Sequence, residues 1–152
     1  DLATPSALER REGYAAGMWA AGLPVNPAWI IDGKPGDREY QVAQLHGLAA
    51  NGELPSALLI AQQSDVVPVY TALQKMGLRI PADVSLIAFD NPEYAEHLHP
   101  PLTAWRQDVE NIAVQATKQL TNQIAGGACH AFPGTAVLLE RQSVAALTPS
   151  GE

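Results

Sequence analysis

Basic side chains and cysteine are both scarce in this chain. Nine Lys and Arg stand against sixteen Asp and Glu, so the formal charge is −7, the wrong sign for a surface that must neutralise phosphates. The chain as it stands is therefore not expected to hold DNA. Cys129 is the only cysteine, which excludes an intramolecular disulfide and gives no sign of an oxidising compartment.

Membrane spans and catalytic signatures are missing as well. No apolar run approaches the roughly 18 to 20 residues needed to cross a bilayer, and the first residues hold neither an initiator Met nor a signal segment. We therefore expect a piece of a longer protein. The sequence contains no Gly-x-Ser-x-Gly, no Gly-x-Gly-x-x-Gly and no Walker loop, so it gives no positive sign of an enzyme.

Helix and strand patterns alternate along the chain. Apolar residues make up 47% of it and charged residues 16%, which is typical of a chain that buries a core. Spacing, caps and terminal glycines predict helices over 6–22, 38–51, about 65–77 and 108–124, and strands over 29–31, 57–61, 84–89, 102–105 and 136–139. Such alternation predicts an α/β fold, a parallel sheet with helices on both faces.

Polar residues follow the apolar runs of these strands. In open parallel sheets, ligands bind outside the carboxyl ends of the strands. The segments to inspect are therefore 33–37, 62–65, 90–93 and 106–107.

Four motifs resemble one family of bacterial regulators. The run 55–61 (PSALLIA), a polar pair, a helix and the run 77–91 (GLRIPADVSLIAFDN) together resemble the effector domain of the LacI/GalR repressors. The segment 100–107 (PPLTAWRQ) resembles that family's PPLTT segment followed by Gln, and 10–14 (RREGY) resembles its Arg-x-x-Gly-aromatic helix start. The motifs occur in the family's order and cover nearly the whole chain.

The resemblance implies a periplasmic-binding-protein-like core of type I, with Rossmann-like three-layer subdomains. Residues 1–105 would form the C-terminal subdomain, the helix and strand of 106–145 would pack in the first subdomain, and 146–152 would be a tail. It further implies a cytoplasmic homodimer that binds a sugar or nucleoside-like effector and reaches operator DNA only through a headpiece outside this chain. The helix stripe of Val109, Ile112, Ala116, Leu120 and Ile124 would then need other cover.

Carried over position by position, the resemblance predicts effector-binding roles for Arg10, Gln62, Asp90 and Gln107. A guanidinium fork donates fixed hydrogen bonds to hydroxyls or a carboxylate, and a carboxylate at a strand end accepts from hydroxyls. Alternatives remain open for two of them. Arg11 rivals Arg10 in register, and Asp90 has a second interpretation as a turn cap.

The dimer interface implied by the family would lie on the helix from Val66 to Met76 and on the segment from Tyr94 to Leu102. We expect it to contain Val66, Val69, Tyr70, Leu73 and Leu98. An aromatic face for a sugar ring would come from Trp29 or Tyr40.

Three other interpretations are weaker. Asp90, Glu93, His97 and His99 lack the spacing of a metal site, so we expect no metal and no cofactor, and Cys129-His130 lacks a partner acid. An enzyme would use Asp90 with His97 or His99 as acid and base. A periplasmic sugar-binding protein of a transporter shares the predicted architecture and is the stronger rival.

Overall fold

The computed structural model describes residues 5–33 and 37–146. It contains four α-helices and four strands in these residues: α1 (Pro5–Ala20), α2 (Arg38–Ala50), β1 (Ala57–Ile60), α3 (Val66–Lys75), β2 (Ser85–Phe89), β3 (Thr103–Gln107), α4 (Val109–Ile124) and β4 (Ala136–Leu139). Short 3₁₀ helices cover Pro27–Trp29, Gln63–Asp65 and Glu93–His97. The predicted tail lies outside the described residues from position 147 onward, and so does part of the segment 33–37.

Local signals fix the ends of the helices. The Asp37 carboxylate accepts from the backbone N–H of Tyr40 at the start of α2, and Asp108 caps α4 through Asn111 in the same way. Gly77, just after α3, has a φ of +72°, a conformation that disfavours any residue with a Cβ. The predicted helix ends are confirmed at these positions.

The four strands form one sheet in the order β1-β2-β3-β4. β1, β2 and β3 run parallel, as the alternation predicts. The crossover from β1 to β2 contains α3, and the crossover from β2 to β3 contains the 3₁₀ helix Glu93–His97. β4 runs antiparallel to β3. The predicted parallel sheet is confirmed for β1 to β3, and the antiparallel β4 makes the sheet mixed.

The core lies on one face of this sheet, against α3. Leu86, Ala88 and Ala104 from the sheet are fully buried there, and α3 brings Val66 and Leu73, which are also at 0% exposure. The opposite face is more open. Its members Leu59 and Trp105 are 46% and 38% exposed.

The predicted strand over 29–31 does not form. Pro27 opens a 3₁₀ turn in which the Asn26 side chain accepts from the N–H of Ala28, and the N–H of Ile30 donates back to Pro27 O. The Ile30 N–H is therefore bonded within the turn and does not pair with a neighbouring strand. A run of three apolar residues is compatible with a strand and also with a turn whose side chains are packed, so the sequence pattern alone does not distinguish the two.

Three predicted dimer-interface residues belong to the core of the chain itself. Val66, Tyr70 and Leu73 are 0%, 3% and 0% exposed and pack in the buried cluster, so their side chains offer a partner no surface. The prediction is wrong for these three. Val69 and Leu98 are partly buried against the same cluster.

The segment after β4 returns to the middle of the sheet. The N–H of Leu86 donates to Ser143 O at 2.7 Å, and the Ser143 hydroxyl bridges β2 and β3 by donating to Leu86 O and accepting from the N–H of Thr103. Residues 106–145 are thus joined to the sheet at both ends. Between them, α4 has no buried residue, and Val109, Leu120 and Ile124 are 66%, 59% and 81% exposed. The predicted apolar stripe is uncovered in this chain.

Candidate functional site

Polar groups meet where three parallel strands end. Gln62 follows β1, Asp90 follows β2, and Gln107 is the last residue of β3. Because parallel strands end at the same edge of a sheet, these side chains share one rim. None of the described helices is long and apolar enough to cross a membrane.

Arg10 reaches this rim from α1 and is held there by two contacts. Its Nη1 donates to the carbonyl oxygen of Ala61 at 2.5 Å, at the end of β1. Its guanidinium carbon lies 3.9 Å from the ring centroid of Phe89, the last residue of β2. Neither contact neutralises the charge. A guanidinium has five N–H donors, and among the described residues the structure gives Arg10 a hydrogen bond from one of them, to Ala61 O.

Asp90 and Gln107 connect the ends of β2 and β3. The Gln107 amide Nε2 donates to Asp90 Oδ1 at 2.5 Å. Asp90 has a φ of +68°, a left-handed conformation that Asp tolerates better than most residues. The pair leaves Asp90 Oδ2 and Gln107 Oε1 as acceptors for a ligand.

A shallow cavity of about 390 Å³ lies at this rim. It is lined by Ser6, Glu9, Arg10, Phe89 and Gln107. The structure thus brings Arg10 and Gln107 into one cavity, with Asp90 bonded to Gln107 beside it. Gln62 is half-buried next to Ala61 and does not line the cavity.

The structure separates Arg10 from its rival in register. Arg11 points away from the cavity, where its Nη1 lies 3.8 Å from Asp32 Oδ2 in an exposed ion pair. Of the two arginines, Arg10 is the one at the strand ends.

Aromatic residues are placed differently from the prediction. The Trp29 indole donates to Glu53 O at 3.0 Å, ahead of β1 and therefore at the opposite end of that strand. Tyr40 is 44% exposed in the first turn of α2 and is not among the cavity residues. The aromatic ring at the site is Phe89, which the sequence analysis missed because an apolar residue ending a buried strand is read as core.

A larger cavity of about 480 Å³ lies between α2 and α3. It is lined by Arg38, Val42, Ser64, Val67, Pro68, Thr71, Ala72, Lys75 and Tyr94. It contains none of the four predicted effector residues, whereas the smaller cavity contains Arg10 and Gln107. In the described residues, no group of three His, Cys, Asp or Glu side chains could hold a metal ion.

Comparison with known proteins identifies the fold and the family. The family model described as a periplasmic binding protein-like domain matches residues 2–144. A probable opine utilization operon repressor of Rhizobium rhizogenes is 34% identical over 142 residues, which cover 91% of this chain and 71% of the relative. The ribose operon repressor of Haemophilus influenzae is 31% identical over 118 residues, 78% of this chain and 35% of the relative.

Among solved structures, a sugar-binding transcriptional regulator of the LacI family from Escherichia coli, complexed with phosphate, superimposes with a TM-score of 0.79. It is 25% identical, and the match covers 95% of this chain and 52% of that one. The chain therefore spans about half of that structure and about a third of the ribose repressor.

The fold and the family match together define a periplasmic binding protein-like domain. Its relatives are repressors, and its structural neighbour is a LacI-type regulator. The chain belongs to this LacI/GalR family of transcriptional regulators.

Proposed function

We propose that this chain is the ligand-sensing and dimerisation region of a LacI-type repressor, and that it binds a small polar effector at the strand-end rim. The observation that carries the proposal is the convergence of Arg10, Asp90 and Gln107, with guanidinium donors on one side and carboxylate and amide acceptors on the other. A polyol or nucleoside sugar offers both kinds of partner. The proposed role is regulatory and not enzymatic, and the proposed location is the cytoplasm, where operator DNA lies.

Each site residue has a distinct role in the proposal. Arg10 donates to an effector oxygen, Asp90 Oδ2 accepts from a hydroxyl, and Gln107 holds Asp90 while presenting its own oxygen. Gln62 closes the rim beside Ala61. The effector acts on DNA binding only through its differential affinity for two arrangements of the subdomains.

A thermal-shift screen tests the site. The panel contains sugars and nucleosides, with ribose and an opine included because the two relatives' operons are named after such compounds. An effector at 100 times its Kd stabilises the native state by about 2.7 kcal/mol, which raises the Tm of a chain of this size by about 5–10 °C.

Variants of adjacent arginines give the matched comparison. Arg10→Ala and Asp90→Ala should each weaken binding by about tenfold or more, because each removes a hydrogen bond to a charged group. Arg11→Ala should leave the shift unchanged, since Arg11 pairs with Asp32 in solvent. The proposal fails if no compound shifts the Tm, or if the shift is indifferent to Arg10 and Asp90.

We further propose that dimerisation uses the solvent-facing side of α3. Val67 is 47% exposed there, and it lines the α2–α3 cavity together with Pro68 and Thr71. The Val67→Asp substitution places a charge on this surface, and it should therefore raise the dimer dissociation constant measured by sedimentation equilibrium. Val114→Asp is the matched control, because Val114 is 50% exposed on α4; equal effects of both variants would remove α3 from the interface.

The uncovered stripe of α4 has a place in the same proposal. In the family's two-subdomain architecture, residues 106–145 pack in the first subdomain, which would cover Val109, Leu120 and Ile124. Polar substitutions at Leu120 and Ile124 should therefore reduce self-association of this chain. The same substitutions in a longer protein with both subdomains should destabilise it, and the opposite result would count against the domain assignment.

A further inference from the structure

We propose that Phe89 is a positioning residue for Arg10: the face of its ring fixes the plane of the guanidinium, so that the in-plane N–H groups stay free for an effector. This inference rests on the proposed function for its effector part. The placement of Arg10 itself is independent of any effector. The distance from the guanidinium carbon to the ring centroid, 3.9 Å, is well within the about 6 Å range of a cation–π contact.

The chemistry of the contact explains why a ring suits this position. A carboxylate partner would hold Arg10 by occupying its N–H donors, usually two at a time. An aromatic face attracts the cation through its quadrupole and occupies no donor. Phe89 can therefore hold the charge without competing with an effector.

A second contact complements the ring. Nη1 donates to Ala61 O at the end of β1, while Phe89 ends the neighbouring strand β2. The side chain thus contacts the ends of two neighbouring strands, β1 through a hydrogen bond and β2 through the ring face. An arginine held this way loses less conformational freedom on binding, because its rotamers are already restricted in the free protein.

The location of Phe89 connects this contact with the rest of the site. Phe89 immediately precedes Asp90, whose carboxylate accepts from Gln107, and Phe89 itself lines the cavity with Arg10. Two consecutive residues therefore arrange the donor and the acceptor of the proposed site.

The experiment combines nuclear magnetic resonance of the Arg10 side chain with effector affinity. In the native protein, the Arg10 Nε–H and Cδ protons should show an upfield ring-current displacement. Phe89→Leu keeps an apolar side chain but removes the ring, so that displacement should vanish and effector affinity should fall by about three- to tenfold. Phe89→Tyr retains the ring face and should restore both.

A neighbouring packing variant separates positioning from general destabilisation. Ile87→Val removes one methylene from a half-buried residue two positions earlier on β2. It should lower the Tm without moving the Arg10 signals or changing the affinity by more than about twofold.

The outcomes distinguish this inference from the proposed function. Unchanged Arg10 signals in Phe89→Leu would overturn the positioning role, and so would an affinity loss that Phe89→Tyr does not restore. If no effector is found, the proposed function fails, while the ring-current displacement and its loss in Phe89→Leu still decide whether Phe89 positions the guanidinium.

Discussion

Replacing Ser143 with alanine removes one hydroxyl from the most buried polar position that the structure describes. Ser143 is 0% exposed. Its Oγ donates to Leu86 O at 2.6 Å and accepts from the N–H of Thr103 at 2.8 Å. The substitution therefore leaves one backbone carbonyl of β2 and one backbone N–H of β3 without this partner.

The expected cost follows from these two groups. A buried donor or acceptor that loses its partner costs about 1–3 kcal/mol, so the two groups together should cost about 2–6 kcal/mol. Side-chain volume changes little, and the space vacated by one oxygen is too small to admit a water that could bridge both groups. Against a total stability of about 5–15 kcal/mol, this is a large loss for a single atom.

Equilibrium urea denaturation measures this loss. Ser143→Ala should lower the unfolding midpoint by about 1–2 M, whereas Ser56→Ala, at an exposed position, should stay within about 0.5 kcal/mol of the native protein. A Ser143→Ala variant as stable as the native protein would refute the reasoning. It would mean that the hydrogen bonds from the segment after β4 do not stabilise the sheet.

Three further predictions concern titrating and charged groups. Burial raises the pKa of Tyr70 to about 12, so stability should fall as pH rises from about 10, the unfolded value, through 12; Tyr70→Phe should flatten that decline in urea denaturation. The Arg79 contacts lower the pKa of Asp83 to about 2, so stability present above about pH 4 should be lost as pH falls through 2. Asp83→Asn should remove this acid dependence, and an unchanged profile would contradict the ion pair. Gln107→Glu sets a second carboxylate against Asp90 and should weaken effector binding at neutral pH by about tenfold in calorimetric titration.

Most helices and strands are predictable because residues near their ends determine where they begin and stop. The cap Asp37 marks the start of α2, and Gly77 the end of α3. β1 is a continuous apolar run and β2 is apolar after Ser85, which is typical of strands in a parallel sheet. The rim follows from the same pattern, since it only requires knowing where the strands end.

Other features depend on tertiary context that spacing does not encode. The helical stripe of Val66, Tyr70 and Leu73 identifies a buried face, but the same stripe would suit a cover from this chain or from a partner. The antiparallel direction of β4 depends on how residues 125–135 turn, for which the sequence has no strong signal. The sequence does not predict a site role for Phe89, because that role depends on its contact with Arg10, 79 positions away in the chain.

The turn after β2 joins the site to the segment that follows β4. Asp90 accepts from Gln107 of β3, and the next residue, Asn91, accepts from Arg141 Nη1 at 2.9 Å. The same Nη1 also donates to Leu102 O ahead of β3, so Arg141 ties the turn to a segment that does not touch the cavity. An effector that competes with Gln107 for Asp90 therefore acts on a turn whose other side is fixed to the segment after β4. In the proposed sensor, these hydrogen bonds connect the rim with the segment after β4, because Gln107 and Arg141 lie near the two ends of the segment 106–145.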